Sequence, residues 1–238
     1  MTPEWTAYAR TDRGRVRERN EDAYVLEPPV LLVADGLGGH PGGDDASRVG
    51  SHTAALVLSK EPPGEDALRE AFLAADRAVR DEAEESARPG MGTTLVGGVV
   101  SVENGTLYLA NVGDSRAYLL DDDALHLVTE DDNEAAEMVR RRLITRDAAR
   151  THPGRFWLSQ ALGIGTIEVR TQAQPLRGQR LLLCSDGLLE LSEERVESVL
   201  RESGSPEEAS GALVDAVLEG TAASDNVTVL VADLPAVD

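Results

Sequence analysis

Short apolar runs end at, or follow, an aspartate at three widely separated places in the chain. Apolar runs lead into Asp35 and Asp186, and a third run follows Asp225. Such stretches, when they are bounded by turn residues, are typical of buried strands. The pattern therefore predicts strands at 30–34, 181–185 and 227–231, each with a carboxylate at one end.

Helices are predicted in two pairs, one between the strand groups and one after them. The second helix carries apolar residues at helical spacing, and Asp44 is the expected N-cap of the first. The predicted helices span 44–59, 66–86, 193–201 and 206–219.

The other strands are predicted from alternation and turn residues. Two short strands are expected at the N-terminus, around a turn at 12–14. An antiparallel meander is expected over 94–128, with hairpin turns at 104–105 and 121–123. The polar segment 129–165 is predicted to be irregular, with short helices.

The order of these elements predicts a layered α+β fold. Helices do not alternate one by one with strands, so a doubly wound parallel sheet is not expected. The length of 238 residues fits a single domain, 1–238, that is large enough for a substantial core.

Composition excludes several classes of partner. The formal net charge is −20, which opposes nonspecific binding to nucleic acid and docking to anionic membranes. No apolar stretch is long enough to span a bilayer, and no secretory signal is visible. The single Cys184 cannot form an internal disulfide, so a cytoplasmic location is expected.

Carboxylates gathered from several strand ends would form a cage of oxygen ligands. Crowded carboxylates repel one another, and hard divalent cations such as Mg²⁺ or Mn²⁺ relieve that repulsion. The cage therefore predicts metal-assisted hydrolysis. Arg17 is the natural phosphate clamp, because its planar guanidinium matches a phosphate group at two points. The plainer alternative is that these aspartates are turn residues that accept bonds from backbone amides.

Two alternative ways of hydrolysing a phosphate ester, without a metal-activated water, fit the sequence less well. A cysteine nucleophile would need an arginine six residues later, whereas Glu190 stands at that spacing from Cys184. An aspartyl-phosphate enzyme would want an Asp-x-Asp after a buried strand, but the spacing at 121–123 lies in a predicted hairpin turn.

Six motifs in chain order resemble the PPM (type 2C) metal-dependent serine/threonine phosphatase family, bacterial branch. The resemblance covers nearly the whole chain. The motifs are Val16-Arg17-x-x-Asn20-Glu21-Asp22, Val33-Ala34-Asp35-Gly36-Leu37-Gly38-Gly39-His40, Met91-Gly92-Thr93-Thr94, Asn111-Val112-Gly113-Asp114-Ser115-Arg116, Ser185-Asp186-Gly187-Leu188 and Ser224-Asp225-Asn226-Val227-Thr228.

The resemblance implies an α-β-β-α sandwich, with two central antiparallel sheets flanked by helices. It also implies two Mg²⁺ or Mn²⁺ ions, with a third at a weaker site. A hydroxide that bridges two metals would attack phosphoserine or phosphothreonine directly, without a phosphoenzyme. The expected partners are a phosphoprotein substrate and a cognate kinase, and the expected state is a monomer.

Residue roles follow from the same resemblance. It implies that Arg17 holds the substrate phosphate and that the other matched residues bind metals. Asp35 would bridge both ions and the Gly36 carbonyl would bind one of them. The remaining implied ligands are Asp186 and Asp225 on the other ion, Glu21 and Asp22 directly or through water, and Asp114 with Glu190 at the third site.

Three positions depart from the family pattern. Leu37 stands where some members carry a histidine proposed as general acid, and Glu190 replaces a more usual aspartate. The segment 129–133 replaces the usual Thr-x-Asp-His-Ser. These departures leave open a second interpretation, a weakly active or inactive regulator that binds phosphoproteins. A hydrolase of small phosphoesters is a third.

Six arginines crowd the segment that corresponds to the family's flap, here defined as residues 130–160. They either attract an acidic phosphoprotein or form a solvated face that offsets neighbouring carboxylates. The six are Arg140, Arg141, Arg142, Arg146, Arg150 and Arg155.

Overall fold

Two five-stranded antiparallel sheets form the centre of the molecule in a computed structural model that describes residues 5–38 and 42–237. The first sheet has the strand order β1-β10-β9-β6-β7, and the second has the order β2-β3-β4-β5-β8. The strands are β1 Thr6–Asp12, β2 Asp22–Glu27, β3 Val30–Asp35, β4 Leu95–Ser101, β5 Thr106–Val112, β6 Arg116–Leu120, β7 Leu125–Leu127, β8 Arg170–Pro175, β9 Arg180–Cys184 and β10 Val227–Asp233.

Helices cover the outer faces of both sheets. Helices α1 and α2 pack on the second sheet, and α6 packs on the first sheet, with α5 beside it. The short α3 and α4 lie within the flap. The helices are α1 Gly43–Leu58, α2 Glu65–Glu85, α3 Glu134–Arg140, α4 Arg146–Ala149, α5 Glu193–Glu202 and α6 Pro206–Gly220.

Apolar side chains form three layers, which explains why the central strands are apolar on both faces. In β3, Leu31 and Val33 belong to the layer between the sheets, whereas Leu32 and Ala34 pack toward α1 and α2. A third layer lies between the first sheet and α5 and α6. This arrangement confirms the predicted α-β-β-α sandwich.

Strand pairing differs from the sequence prediction at two connections. The N-terminal strands do not form a hairpin, because β1 pairs with β10 and β2 pairs with β3. The expected meander is likewise divided, since β4 and β5 lie in the second sheet but β6 and β7 lie in the first. Two of the connections between the sheets, at residues 13–21 and 113–115, lie at the candidate site.

Two local predictions were also wrong. Strand β8 was missed because its sequence, RTQAQP, is polar and the strand lies at a sheet edge. Helix α1 has Gly42 rather than Asp44 as its N-cap, and Asp44 lies in the first turn. The motif residues Gly39 and His40 lie outside the described residues. Within the described ranges, no helix is both long and apolar enough to cross a membrane.

Candidate active site

The predicted carboxylates come together where both sheets end. Asp22 begins β2 and Asp35 ends β3, and the two residues face each other in the strand register. Asp186 lies two residues after the end of β9, and Asp225 lies two residues before the start of β10. Antiparallel pairing of β9 with β10 brings these last two segments to the same end of the first sheet.

Neighbouring hydroxyl groups fix the backbone at Asp35. The Asp35 amide donates to Thr94 Oγ1 at 3.0 Å, and Thr93 Oγ1 donates to the Asp35 carbonyl at 2.8 Å. Thr94 Oγ1 also lies 2.7 Å from Ser115 Oγ, which belongs to the connection between the sheets. These bonds lock the end of β3 in place without using the Asp35 carboxylate.

Gly36 is required by a close approach of the chain. Its amide donates to the Glu21 carbonyl at 3.1 Å. A Cβ at this position would lie 2.2 Å from the Gly43 carbonyl oxygen and 2.6 Å from the Glu21 carbonyl oxygen. Only glycine therefore allows residue 21 and the start of α1 to meet beside Asp35.

Burial and mutual repulsion raise the pKa values of the gathered carboxyl groups. Burial, with repulsion from Asp22 and Asp186, raises the pKa of Asp35 well above its ordinary value. Burial and repulsion from neighbouring aspartates raise the pKa of Asp22 to about 7 and that of Asp186 to about 6. Burial and nearby acidic groups also raise the pKa of Glu21. Such a cluster favours protons or cations over bare negative charge.

One oxygen in this cluster has no partner. Ser185 Oγ donates to Asp22 Oδ2 at 2.7 Å, but Asp22 Oδ1 is buried without a hydrogen-bond partner, uniquely among the described side-chain oxygens and nitrogens. A buried bare carboxylate oxygen is costly. The oxygen-rich donor set and this unmatched atom fit a hard divalent cation.

Arg17 binds one of the carboxylates that the sequence predicts as a metal ligand. Its Nη2 lies 2.6 Å from Asp225 Oδ2, and this bond raises the pKa of the guanidinium. Among the described residues, no three His, Cys, Asp or Glu side chains are already arranged to hold a metal ion. A cation at Asp225 would therefore compete with Arg17 for this carboxylate.

Asn226 fastens the segment that carries Arg17. Its Nδ2 donates to the carbonyls of Arg13 and Arg19, both at 2.9 Å, and its Oδ1 accepts from the Glu21 amide at 2.8 Å. No individual role was predicted for Asn226, Thr94 or Ser185. All three are polar residues inside the motifs, and that position was the available signal.

Asp114 and Glu190 lie in different surroundings. Asp114 is buried, and burial with repulsion from Asp186 raises its pKa. Glu190 instead accepts from the Ser224 amide at 2.7 Å, from Ser224 Oγ at 2.6 Å and from the Ala223 amide at 2.9 Å. Partial burial opposes these bonds, but they hold the pKa of Glu190 below its ordinary value. Glu190 thus secures the loop before Asp225.

Acidic partners already bind several of the flap arginines. Arg140 and Arg141 both donate to Glu137, at 2.9 Å and 2.5 Å, and Arg150 donates to Glu193 at 2.6 Å. This pairing favours the solvated-face interpretation over a docking role for these three side chains.

Glutamine at Arg140, Arg141 and Arg142 is therefore expected to have little effect on activity. We expect the KM for a phosphoprotein to change by less than about twofold, because exposed pairs contribute little. The measurement is KM for a phosphoprotein beside a small aryl phosphate. A large rise in KM for the phosphoprotein alone would restore the docking interpretation.

Asn133 stands where the family pattern has a serine, and its side chain makes a defined local contact. It is the N-cap of α3, and its Oδ1 accepts from the Ala136 amide at 2.9 Å. Asparagine and serine are both favoured at this position of a helix. This departure therefore leaves the start of the flap helix intact.

Comparisons with known proteins agree with the geometry. The model of the protein phosphatase 2C family matches residues 13–220. The serine/threonine phosphatase stp of Listeria welshimeri is 36% identical over 241 residues, which cover 94% of this chain and 94% of that protein. The serine/threonine protein phosphatase PstP of Mycobacterium tuberculosis is 38% identical over 95% of this chain but only 44% of its own length.

Solved structures show the same fold. The crystal structure of the M. tuberculosis phosphatase PstP/Ppp has a TM-score of 0.89 and 36% identity, covering 97% of this chain and 98% of that one. A PstP catalytic domain in complex with two manganese ions has a TM-score of 0.85 and 34% identity, with the same coverage. Motifs, fold and carboxylate cluster agree, and the chain belongs to the protein phosphatase 2C family.

Proposed function

We propose that this chain is a protein serine/threonine phosphatase that hydrolyses phosphoserine and phosphothreonine with the help of Mg²⁺ or Mn²⁺. The observation that carries the proposal is the buried cluster of Asp22, Asp35 and Asp186, with raised pKa values and one unmatched oxygen. Such a cluster is costly in a metal-free protein and is matched by divalent cations. Kinship with named serine/threonine phosphatases supports the substrate class.

The proposed ligands divide between the two sheets. Asp35 and the Gly36 carbonyl would contact the ions from the second sheet, with Glu21 and Asp22 directly or through water. Asp186 and Asp225 would contact them from the first sheet, and Asp114 would serve a third ion. When bound, the ions would supply an ionised water as nucleophile and positive charge for the phosphoryl oxygens.

The residues of the chain would position the phosphate and the attacking water. Arg17 would turn from Asp225 to the phosphoryl oxygens, because its guanidinium can donate two parallel hydrogen bonds to them. Asp35 and Asp22 would orient the attacking water by accepting hydrogen bonds from it. Leu37 cannot donate a proton to the leaving alkoxide, so that proton would come from water. The proposed reaction is a direct displacement without a phosphoenzyme.

Phosphate release from a phosphothreonine peptide tests the proposal. We expect release with Mn²⁺ or Mg²⁺ and none with EDTA. Because direct displacement is a single step, a chiral phosphoryl group should undergo inversion at phosphorus. Retention would instead indicate a phosphoenzyme. Tight binding of the peptide without release would favour the regulator, and turnover limited to small phosphoesters would favour the third interpretation.

Arg17→Ala should separate substrate binding from metal binding. We expect kcat/KM for phosphopeptide to fall by about 100-fold, since a charge-assisted phosphate contact is lost. Mn²⁺ should bind several-fold more tightly, because Asp225 loses its competing partner. Calorimetric titration with Mn²⁺ beside steady-state kinetics checks both effects. Weaker Mn²⁺ binding would contradict the competition between Arg17 and the metal.

A further inference from the structure

A single buried carboxylate lies where both ends of the flap meet the body of the protein. Asp132 occupies the position of the histidine in the family's usual Thr-x-Asp-His-Ser pattern. Its side chain is only 1% exposed. A buried carboxylate is costly unless its charge and lone pairs are matched, so the partners of Asp132 reveal its role.

Three separate segments supply the partners of this carboxylate. Oδ1 pairs with the guanidinium of Arg170, at the start of β8. Oδ2 accepts from the Gly113 amide at 3.1 Å and from Gln160 Nε2 at 2.6 Å. Gln160 lies at the C-terminal end of the flap, and Gly113 lies in the connection between the two sheets. The side chain therefore joins the flap to the second sheet and to the connection between the two sheets.

Backbone hydrogen bonds repeat the same connection. The Asp132 amide donates to the Gly113 carbonyl at 2.9 Å, and the Ser159 amide donates to the Asp132 carbonyl at 2.8 Å. Gln160 Oε1 in turn accepts from the Glu168 amide at 2.8 Å. Both ends of the flap are thus fixed to the turn that places Asp114 in the carboxylate cluster.

We propose that Asp132 is a positioning residue that fastens both ends of the flap to the Gly113–Asp114 turn and so holds the flap beside the active site. A histidine cannot make the same contacts, because a neutral imidazole offers only one acceptor nitrogen. The carboxylate accepts from Gly113 and Gln160 while it neutralises Arg170. The departure from the family pattern is therefore a different fastening of the flap, and its kinetic consequence rests on the proposed function.

Asp132→Asn tests the fastening by hydrogen exchange. The variant removes the charge that faces Arg170 and leaves one acceptor oxygen. We expect amide exchange in residues 134–158 to quicken by about tenfold or more, whereas β3 and β10 keep their protection. Arg170→Gln removes the same ion pair from the other side and should give the same pattern, which keeps the test valid if Asp132→Asn folds poorly.

Asp233→Asn is a control elsewhere in the fold, because it also removes the charge of an aspartate that pairs with an arginine. Asp233 binds Arg180 at 2.6 Å and 2.9 Å in the first sheet, away from the flap. This control should leave flap exchange unchanged. Unchanged flap exchange in both Asp132→Asn and Arg170→Gln would overturn the proposal, as would equal acceleration across the whole chain.

Kinetic measurements distinguish a positioning role of Asp132 from a purely structural role. For Asp132→Asn we expect KM for a phosphoprotein to rise about fivefold or more, while kcat/KM for a small aryl phosphate stays within about twofold. An equal loss with both substrates would contradict a role in holding the flap for protein substrates. Absence of turnover in the unaltered protein would refute the proposed function, yet the exchange experiment would still test the fastening.

Discussion

Asp35→Asn is expected to abolish turnover and, at the same time, to stabilise the metal-free protein. Asp35 lies at the centre of the cluster, and burial and its acidic neighbours raise its pKa well above the ordinary value. Asparagine has nearly the same shape as aspartate but carries no charge, so it removes this repulsion. Without metal, the free energy of unfolding should rise by about 1–2 kcal/mol.

Thermal unfolding in EDTA and phosphopeptide turnover in Mn²⁺ measure the two effects. We expect the Tm to rise by about 2–6 °C and turnover to fall by about 1,000-fold or more. Asp76→Asn is an informative control, because Asp76 binds Arg80 and the Gly163 amide instead of other acids. That variant should lose stability. A similar loss in Asp35→Asn would contradict the account of repulsion within the cluster.

The metal-free protein is expected to lose stability as the pH rises from about 4 to about 7. Burial raises the pKa of Asp22 to about 7 from an ordinary value of 3.8, and that of Asp186 to about 6. Raised pKa values mean that the folded state holds protons that the unfolded state has released. The stabilising contribution is therefore complete below the ordinary value and disappears as the pH passes the folded-state value. Asp22 alone accounts for up to about 4 kcal/mol.

Urea unfolding across this pH range, with EDTA present, measures the effect. The matched variant Asp22→Asn keeps an acceptor for Ser185 but cannot ionise, so its stability should fall less steeply with pH. Mn²⁺ should stabilise the unaltered protein more at pH 8 than at pH 5, because metal and protons compete for the same oxygens. Identical pH dependence in the two proteins would rule out Asp22 as a source of the effect.

The sequence predicted those elements whose residues carry their own signal. Strands β3, β9 and β10 were predicted because burial on both faces makes them continuously apolar. Strand β8 has polar residues at a sheet edge and gave no such signal. The division of strands between the sheets depends on pairing between distant segments, such as β1 with β10, and local pattern does not encode it.

Prediction of the candidate site from the sequence was limited in the same way. Motif positions predicted the acidic residues, and the structure brings Asp22, Asp35, Asp186 and Asp225 together. Contacts that depend on loop geometry were not predictable, such as those of Asn226 with the segment that carries Arg17. Side-chain partners also changed the interpretation of departures from the pattern. By sequence alone, Asp132 was one of the departures that left an inactive regulator possible, but in the structure it is a buried carboxylate with partners for both oxygens.

Above all, we propose that the carboxylate cluster is a divalent-metal centre that hydrolyses phosphothreonine. Calorimetric titration with Mn²⁺, with phosphothreonine peptide turnover measured on the same samples, compares the unaltered protein with Asp186→Ala. We expect two ions to bind the unaltered protein, with metal-dependent turnover, and we expect the variant to lose both tight metal binding and turnover. Full turnover in EDTA, or full turnover in Asp186→Ala, would contradict it.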